Sequence, residues 1–111
     1  MTIQNLSEQV VLIALTDGSQ LISELDSITK LAAAEKDADM VVDFSDVEMI
    51  TTVSINNLIK LRNLLKSRGR RLVICGLSVP NKCIFILAGL DGVFEFAPDK
   101  DSALSSIQKK N

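Results

Sequence analysis

The 111-residue sequence contains no histidine, no tryptophan and no tyrosine. Without an imidazole there is no partner for a serine or cysteine nucleophile, and the usual zinc and iron ligand sets are lost with it. Phenylalanine, at four positions, is the only aromatic residue, so most stacking platforms for nucleic-acid bases are missing. Neither a G-x-G-x-x-G nor a G-x-x-x-x-G-K-[ST] phosphate loop occurs. No apolar run approaches the roughly eighteen residues needed to cross a bilayer, and no charged leader with an apolar stretch opens the chain, so a cytoplasmic protein without membrane insertion is expected. Cys75 and Cys83 are too widely spaced for a Cys-x-x-Cys pair and lie in apolar surroundings (VICGL and KCIFIL), which predicts buried, reduced thiols. No metal, no cofactor and no catalytic residue is expected.

What the chain does have is 47% apolar composition, enough for one domain over residues 1–111 with a core of its own. Its formal charge of -2 conceals a division along the sequence. Residues 1–48 hold ten acids and two bases, residues 49–90 hold seven bases and no acid, and residues 91–111 hold four acids and three bases. The low overall charge argues against nucleic acid as a partner, while the basic middle segment offers a local docking patch for an acidic protein surface. Lys60, Lys66, Arg68, Arg70 and Arg71 carry that segment; the plainer reading is a solvated helix with cations near its C-terminus, where the helix dipole favours them.

The run QVVLIALT (9–16) is apolar at consecutive positions, as in a strand covered on both faces, and TIQNL (2–6) can pair with it as a hairpin. A turn is expected at Asp17-Gly18-Ser19. Leu21, Ile22, Leu25, Ile28 and Leu31/Ala32 recur at helical steps before the charged exit EKDAD. MVVDF (40–44) is a short strand. Ile55, Leu58, Leu61 and Leu65 then share one face of a helix, with Asn56, Lys60, Asn63 and Ser67 opposite, and Gly69 ends it. RLVIC (71–75) is a strand, Ser78-Val79-Pro80 opens a helix that Gly89 closes, and VFEF (93–96) alternates as a strand. Asp99 caps a last helix carrying Ala103, Leu104 and Ile107, and the tail QKKN frays. Strands alternating with helices require an α/β fold: a mixed, mostly parallel β-sheet with flanking α-helices and an antiparallel edge from the first two strands.

The stretch DVEMITTVSINNL (46–58) is where a strand gives way to a helix, at the carboxyl edge of the sheet where open α/β sheets leave exposed loops. One threonine there is explained as an N-cap, a contribution of about 1 kcal/mol. Neither threonine is followed three residues later by Glu or Gln, so no reciprocal capping box forms. The uncapped amides of a helix start can also hold an added phosphate. Asp43, Asp46 and Glu48 are carboxylates near this edge and could in principle serve as acid and base, but no nucleophile accompanies them.

From VVDFSDVEMI through the hydroxyl pair, RGRRLVICGLS, AGLDGVFEF and PDKDSAL, the sequence resembles the STAS domain of anti-sigma-factor antagonists over about two-thirds of its length. That resemblance implies a non-enzymatic module that docks on a kinase-type anti-sigma factor, a serine-kinase-like ATPase, and is released when phosphorylated, with a phosphatase and a second copy of the chain as further candidate partners. The family's Asp-Ser-Ser-Gly motif falls on Thr51-Thr52-Val53-Ser54, so Thr52 is the candidate phosphoacceptor. Thr51 replaces the aspartate, Val53 the second serine and Ser54 the glycine, which puts a side chain where a kinase needs close approach to the backbone. The expected partner-binding residues are Ser45, Asp46, Thr51, Thr52, Val53, Ser54, Asn56, Asn57 and Lys60. The departures from the motif also admit an alternative, an unswitched STAS scaffold or an accessory subunit of a larger complex such as a lipid-transport ABC system.

Overall fold

The computed structural model describes residues 1–16, 20–34 and 38–108. The turn expected at 17–19, most of the charged exit segment (35–37) and the end of the tail (109–111) lie outside the described residues. In chain order the elements are β1 (Thr2–Asn5), β2 (Val10–Ala14), α1 (Leu21–Ala33), β3 (Asp39–Asp43), α2 (Thr52–Ser67), β4 (Leu72–Cys75), α3 (Val79–Leu87), β5 (Glu95–Ala97) and α4 (Lys100–Gln108). The five strands lie side by side in sequence order. β1 runs antiparallel to β2, with Thr2 opposite Ala14, and every other pairing is parallel. The expected mixed, mostly parallel sheet is therefore the one found.

Parallel neighbours joined by right-handed connections, all advancing in one direction, carry their helices on one face. Side chains alternate along each strand, so Val11 and Ile13, Met40 and Val42, and Leu72 and Ile74 bury against Leu25, Ile28, Leu58, Leu61 and Phe85 of α1, α2 and α3. Leu12, Val41, Val73 and Cys75 point the other way, onto Ala103 and Ile107 of α4. Covering both faces is what makes these strands continuous apolar runs. α2 and α3 end at Gly69 and Gly89, each closed by two bonds of the Schellman type: Arg70 N–H to Leu65 O with Gly69 N–H to Lys66 O, and Leu90 N–H to Phe85 O with Gly89 N–H to Ile86 O.

Three expectations change in detail. Ile22 is exposed, and Glu24 takes a buried place on α1 instead. Its carboxylate accepts bonds from Thr16 N–H (3.1 Å) and Thr16 Oγ1 (2.9 Å) and meets the Met1 ammonium at 2.7 Å, which offsets the cost of burial. The strand expected over 93–96 occupies Glu95–Ala97, because the Val93 and Phe94 amides turn back onto the Leu90 carbonyl. Phe94 is still buried, edge-on to Phe85 at 5.5 Å between ring centres. Cys75 is buried as expected, but Cys83 is exposed, since α3 buries only the side that carries Asn81 and Phe85.

Candidate functional site

The β3 to α2 junction is built from the inside outwards. Phe44, Val47 and Ile50 recur every third residue and are buried, pinning the connection to the core, while Ser45, Asp46, Glu48 and Met49 between them are exposed. Asp43 ends the strand, and its Oδ1 accepts from Ser45 N–H (3.0 Å) and Ser45 Oγ (2.6 Å), an Asx-type turn. Gly76, just past β4, sits at φ +74, and a Cβ there would collide with Ser45 Oγ and lie 2.5 Å from Asp43 Oδ1. Only glycine lets the β4 exit come this close to the turn.

The far side of the loop hangs on one residue that was not anticipated. Asn81, 1% exposed, donates from Nδ2 to Val47 O (3.3 Å) and Glu48 O (3.4 Å) and accepts on Oδ1 from Ile50 N–H (3.2 Å). Ser78 caps α3 by accepting from the Asn81 amide at 3.3 Å, which sets the asparagine in place. The signal was present: positions 81 and 85 share the buried face of α3, and an asparagine on a core face needs backbone partners.

The two threonines divide the labour at the start of α2. Thr51 is the N-cap, extended at φ -122 and ψ 168, and its Oγ1 accepts from Ser54 N–H at 3.2 Å. Thr52 is the first residue of the helix; it is exposed, and among the described residues its hydroxyl makes no hydrogen bond. No acid occupies the first turn of α2, so the positive end of the helix dipole is not neutralised from within the helix.

Of the expected contact residues, Ser45, Asp46, Thr51, Thr52, Val53, Asn56 and Lys60 are exposed and Asn57 is half-buried. Ser54 is corrected: at 0% exposure it faces inward, its Oγ 3.0 Å from Thr51 Oγ1. Its side chain is turned away from solvent, inside the start of the helix. Met49, 65% exposed, was missed; with Val53, 51% exposed, it brackets Thr52 with apolar surface in the sequence. Asp43 is committed to Ser45, and no grouping of potential metal ligands occurs among the described residues.

The basic segment is less of a patch than its sequence suggests. Arg68 reaches Ala33 O (3.1 Å), Arg70 reaches Gln9 O (2.9 Å) and Asp39 (3.3 Å), and Arg71 is paired with Glu95 and bonded to Ser106 O (3.2 Å). Three of the five cations singled out in it thus tie neighbouring elements together.

No helix among the described residues is long and apolar enough to cross a membrane. Solved structures share this fold at low sequence identity. An anti-sigma-factor antagonist STAS domain protein from Planctomyces limnophilus is 14% identical with a TM-score of 0.83, covering 96% of this chain and 97% of that one. The Bacillus cell fate determinant SpoIIAA in its phosphorylated form is 13% identical, TM-score 0.73, over 96% and 97% of the two chains. The STAS domain of a SulP transporter from Vibrio cholerae is 15% identical, TM-score 0.79, over 98% and 86%. Among curated protein sequences none matches the chain. The family model for the STAS domain matches residues 23–103, well over half of the sequence, and the protein belongs to the STAS domain family.

Proposed function

We propose that the protein is a cytoplasmic, non-enzymatic regulatory module of the anti-sigma-factor-antagonist kind. It docks the β3 to α2 edge on a kinase-type anti-sigma factor, and phosphorylation of Thr52 sets the affinity. The observation that carries this reading is the division between the threonines: Thr51 is occupied in capping, which leaves the Thr52 hydroxyl exposed at the helix start. A phosphoryl group placed there adds close to two negative charges beside Met49 and Val53, in the middle of the docking face. A phosphorylated relative shares the fold, which supports the reading by likeness only.

Thr52→Asp is expected to weaken binding to the anti-sigma factor several-fold, and Thr52→Val to bind constitutively, measured by calorimetry with the purified partner. Equal affinity of wild type and Thr52→Asp ends the switch.

A second reading, an unswitched scaffold or accessory subunit, is favoured by the replacement of three of the four family motif residues, at Thr51, Val53 and Ser54, and by the transporter-borne relative. Incubation with candidate kinase and ATP separates the two. Under the first reading Thr52 gains the mass of one phosphoryl group. Under the second the protein stays unmodified and copurifies with a permanent partner such as a transporter ATPase.

A further inference from the structure

At the opposite end of the sheet from Thr52, where α2 finishes and β4 and β5 begin, lies a cavity of about 200 Å³ bordered by Arg62, Lys66, Arg70, Arg71 and the carboxylate of Glu95, and by the apolar walls of Leu72 and Phe94. Its charges do not cancel. Arg71 is matched by Glu95 (Nε to Oε2, 3.0 Å) and Arg70 by Asp39 (3.3 Å). Arg62 spends Nε on Val93 O (2.8 Å) and Nη1 on Asn63 Oδ1 (3.2 Å), both uncharged, and so keeps its charge and its Nη2 donors. Lys66 makes no hydrogen bond or ion pair among the described residues.

Arg62 and Lys66 stand one turn apart on α2, a helix that contains no acid at all. Like charges at this spacing repel and cost helix stability. A larger cavity of about 300 Å³ lies beside Lys82, Phe96 and Pro98, but its one cation already sits 3.3 Å above the Phe96 ring. Charge therefore selects the smaller cavity.

We propose that this cavity binds the phosphate group of a small molecule, with Lys66 Nζ and Arg62 Nη2 as its donors. The volume is below the roughly 300–1,000 Å³ of sites that enclose a whole drug-sized ligand, so a head group fits where a larger ligand does not. A tetrahedral dianion suits a guanidinium edge and a lysine point charge together, and between them it relieves their repulsion. Leu72 and Phe94 accept the first carbons of a phosphate ester.

The test is a ¹H–¹⁵N NMR titration of the whole chain with inorganic phosphate, and separately with glycerol phosphate, against sodium chloride at matched ionic strength. Saturable shifts at the amides of residues 62–72 and 93–95 are expected with both phosphates and not with chloride. Tighter binding of the ester identifies an esterified ligand using the apolar walls, and tighter binding of the free ion identifies inorganic phosphate. Lys66 makes no bond among the described residues, so Lys66→Gln keeps the fold while weakening binding by about tenfold, the worth of one charge-assisted bond, and Lys66→Glu abolishes it. The proposal is overturned by shifts no larger than those of chloride, by shifts that survive Lys66→Glu, or by shifts centred on Thr52 and Val53. Binding of a hexaglutamate peptide where phosphate fails also overturns it, and makes the cavity a protein-docking surface.

Discussion

Replacing Asn81 with alanine removes three bonds at once from the loop that presents Thr52. The amide of Ile50 loses its acceptor, and the carbonyls of Val47 and Glu48 lose their donor. A typical net hydrogen bond contributes about 1 kcal/mol, and a buried group left unpaired costs about 1–3 kcal/mol. The three contacts are long, at 3.2–3.4 Å, and Glu48 is exposed, so water recovers part of the loss at the carbonyls. Ile50 is buried, and its amide recovers little. The expected loss is thus about 2–3 kcal/mol, a large share of the 5–15 kcal/mol that holds a domain of this size but not all of it.

Urea unfolding should show the midpoint lowered with the slope unchanged, because the surface exposed on unfolding is the same. Hydrogen exchange of the Ile50 amide should accelerate far more than that of Leu61 in the middle of α2, since only the loop is released. Asn81→Asp serves as a control. It keeps an acceptor for Ile50 but sets a carboxylate against two carbonyls, and it should be no more stable than the alanine variant. A loss below about 0.5 kcal/mol, with Ile50 still protected, would refute the assignment of Asn81 as the anchor of the loop.

The two cysteines should behave oppositely. Burial, reinforced by Asp43 and Asp99, pushes the Cys75 thiol up to about 12, whereas Cys83 lies exposed on α3. One thiol per chain should react with a disulfide reagent in the native state and two in denaturant; two fast native thiols would contradict the packing of α4 over Cys75. A pH effect is expected at Glu24, where burial alone raises the carboxyl but the bonds from the terminal amine and Thr16 outweigh it and leave it below its ordinary value of 4.5. A group held low in the folded state contributes stability that is complete above the unfolded value and is lost as pH falls below it. Thermal stability of the wild type should therefore drop more steeply between pH 5 and pH 3 than that of Glu24→Gln; parallel curves would remove the role given to this carboxylate.

The strands were legible because both faces of the sheet are covered, which leaves an unbroken apolar signature in QVVLIALT, MVVDF and RLVIC. The inward face of α2 was legible for the complementary reason, an apolar stripe at Ile55, Leu58, Leu61 and Leu65. Long-range polar closure was harder to see. Nothing local connects Asn81 to Ile50, 31 residues earlier, or Gly76 to Ser45, and both contacts exist only once β3 and β4 are paired. Ile22 and Cys83 fail for one shared reason: residue type was taken as a guide to burial, when the buried place on α1 goes to Glu24 with its Thr16 partner and the limited footprint of α3 leaves Cys83 outside. Ser54 shows the same limit inside the site: it follows exposed Val53, yet it lies one turn before buried Leu58 and turns inward to Thr51.

Magnitudes also indicate how a phosphate at Thr52 would act. At the N-terminus of α2 it would meet the unneutralised helix dipole and the amides of Thr52 and Val53, an attraction of about 0.3–1 kcal/mol at an exposed position. That is too little to reshape a loop fixed by Phe44, Val47 and Ile50 in the core and by Asn81 behind it. Packing a partner's apolar surface over Met49 and Val53 would, by contrast, strip water from a dianion, a cost of several kcal/mol unless cations replace that water. The second term is the larger, so the modification would work at the interface and leave the fold nearly unchanged. A phosphorylated form whose own melting temperature and amide spectrum differ from the unmodified protein only around residues 50–54, yet whose partner affinity collapses, is the outcome this ordering requires. A form that instead rearranges α2 or the sheet would mean that the loop is held far more weakly than its buried anchors imply.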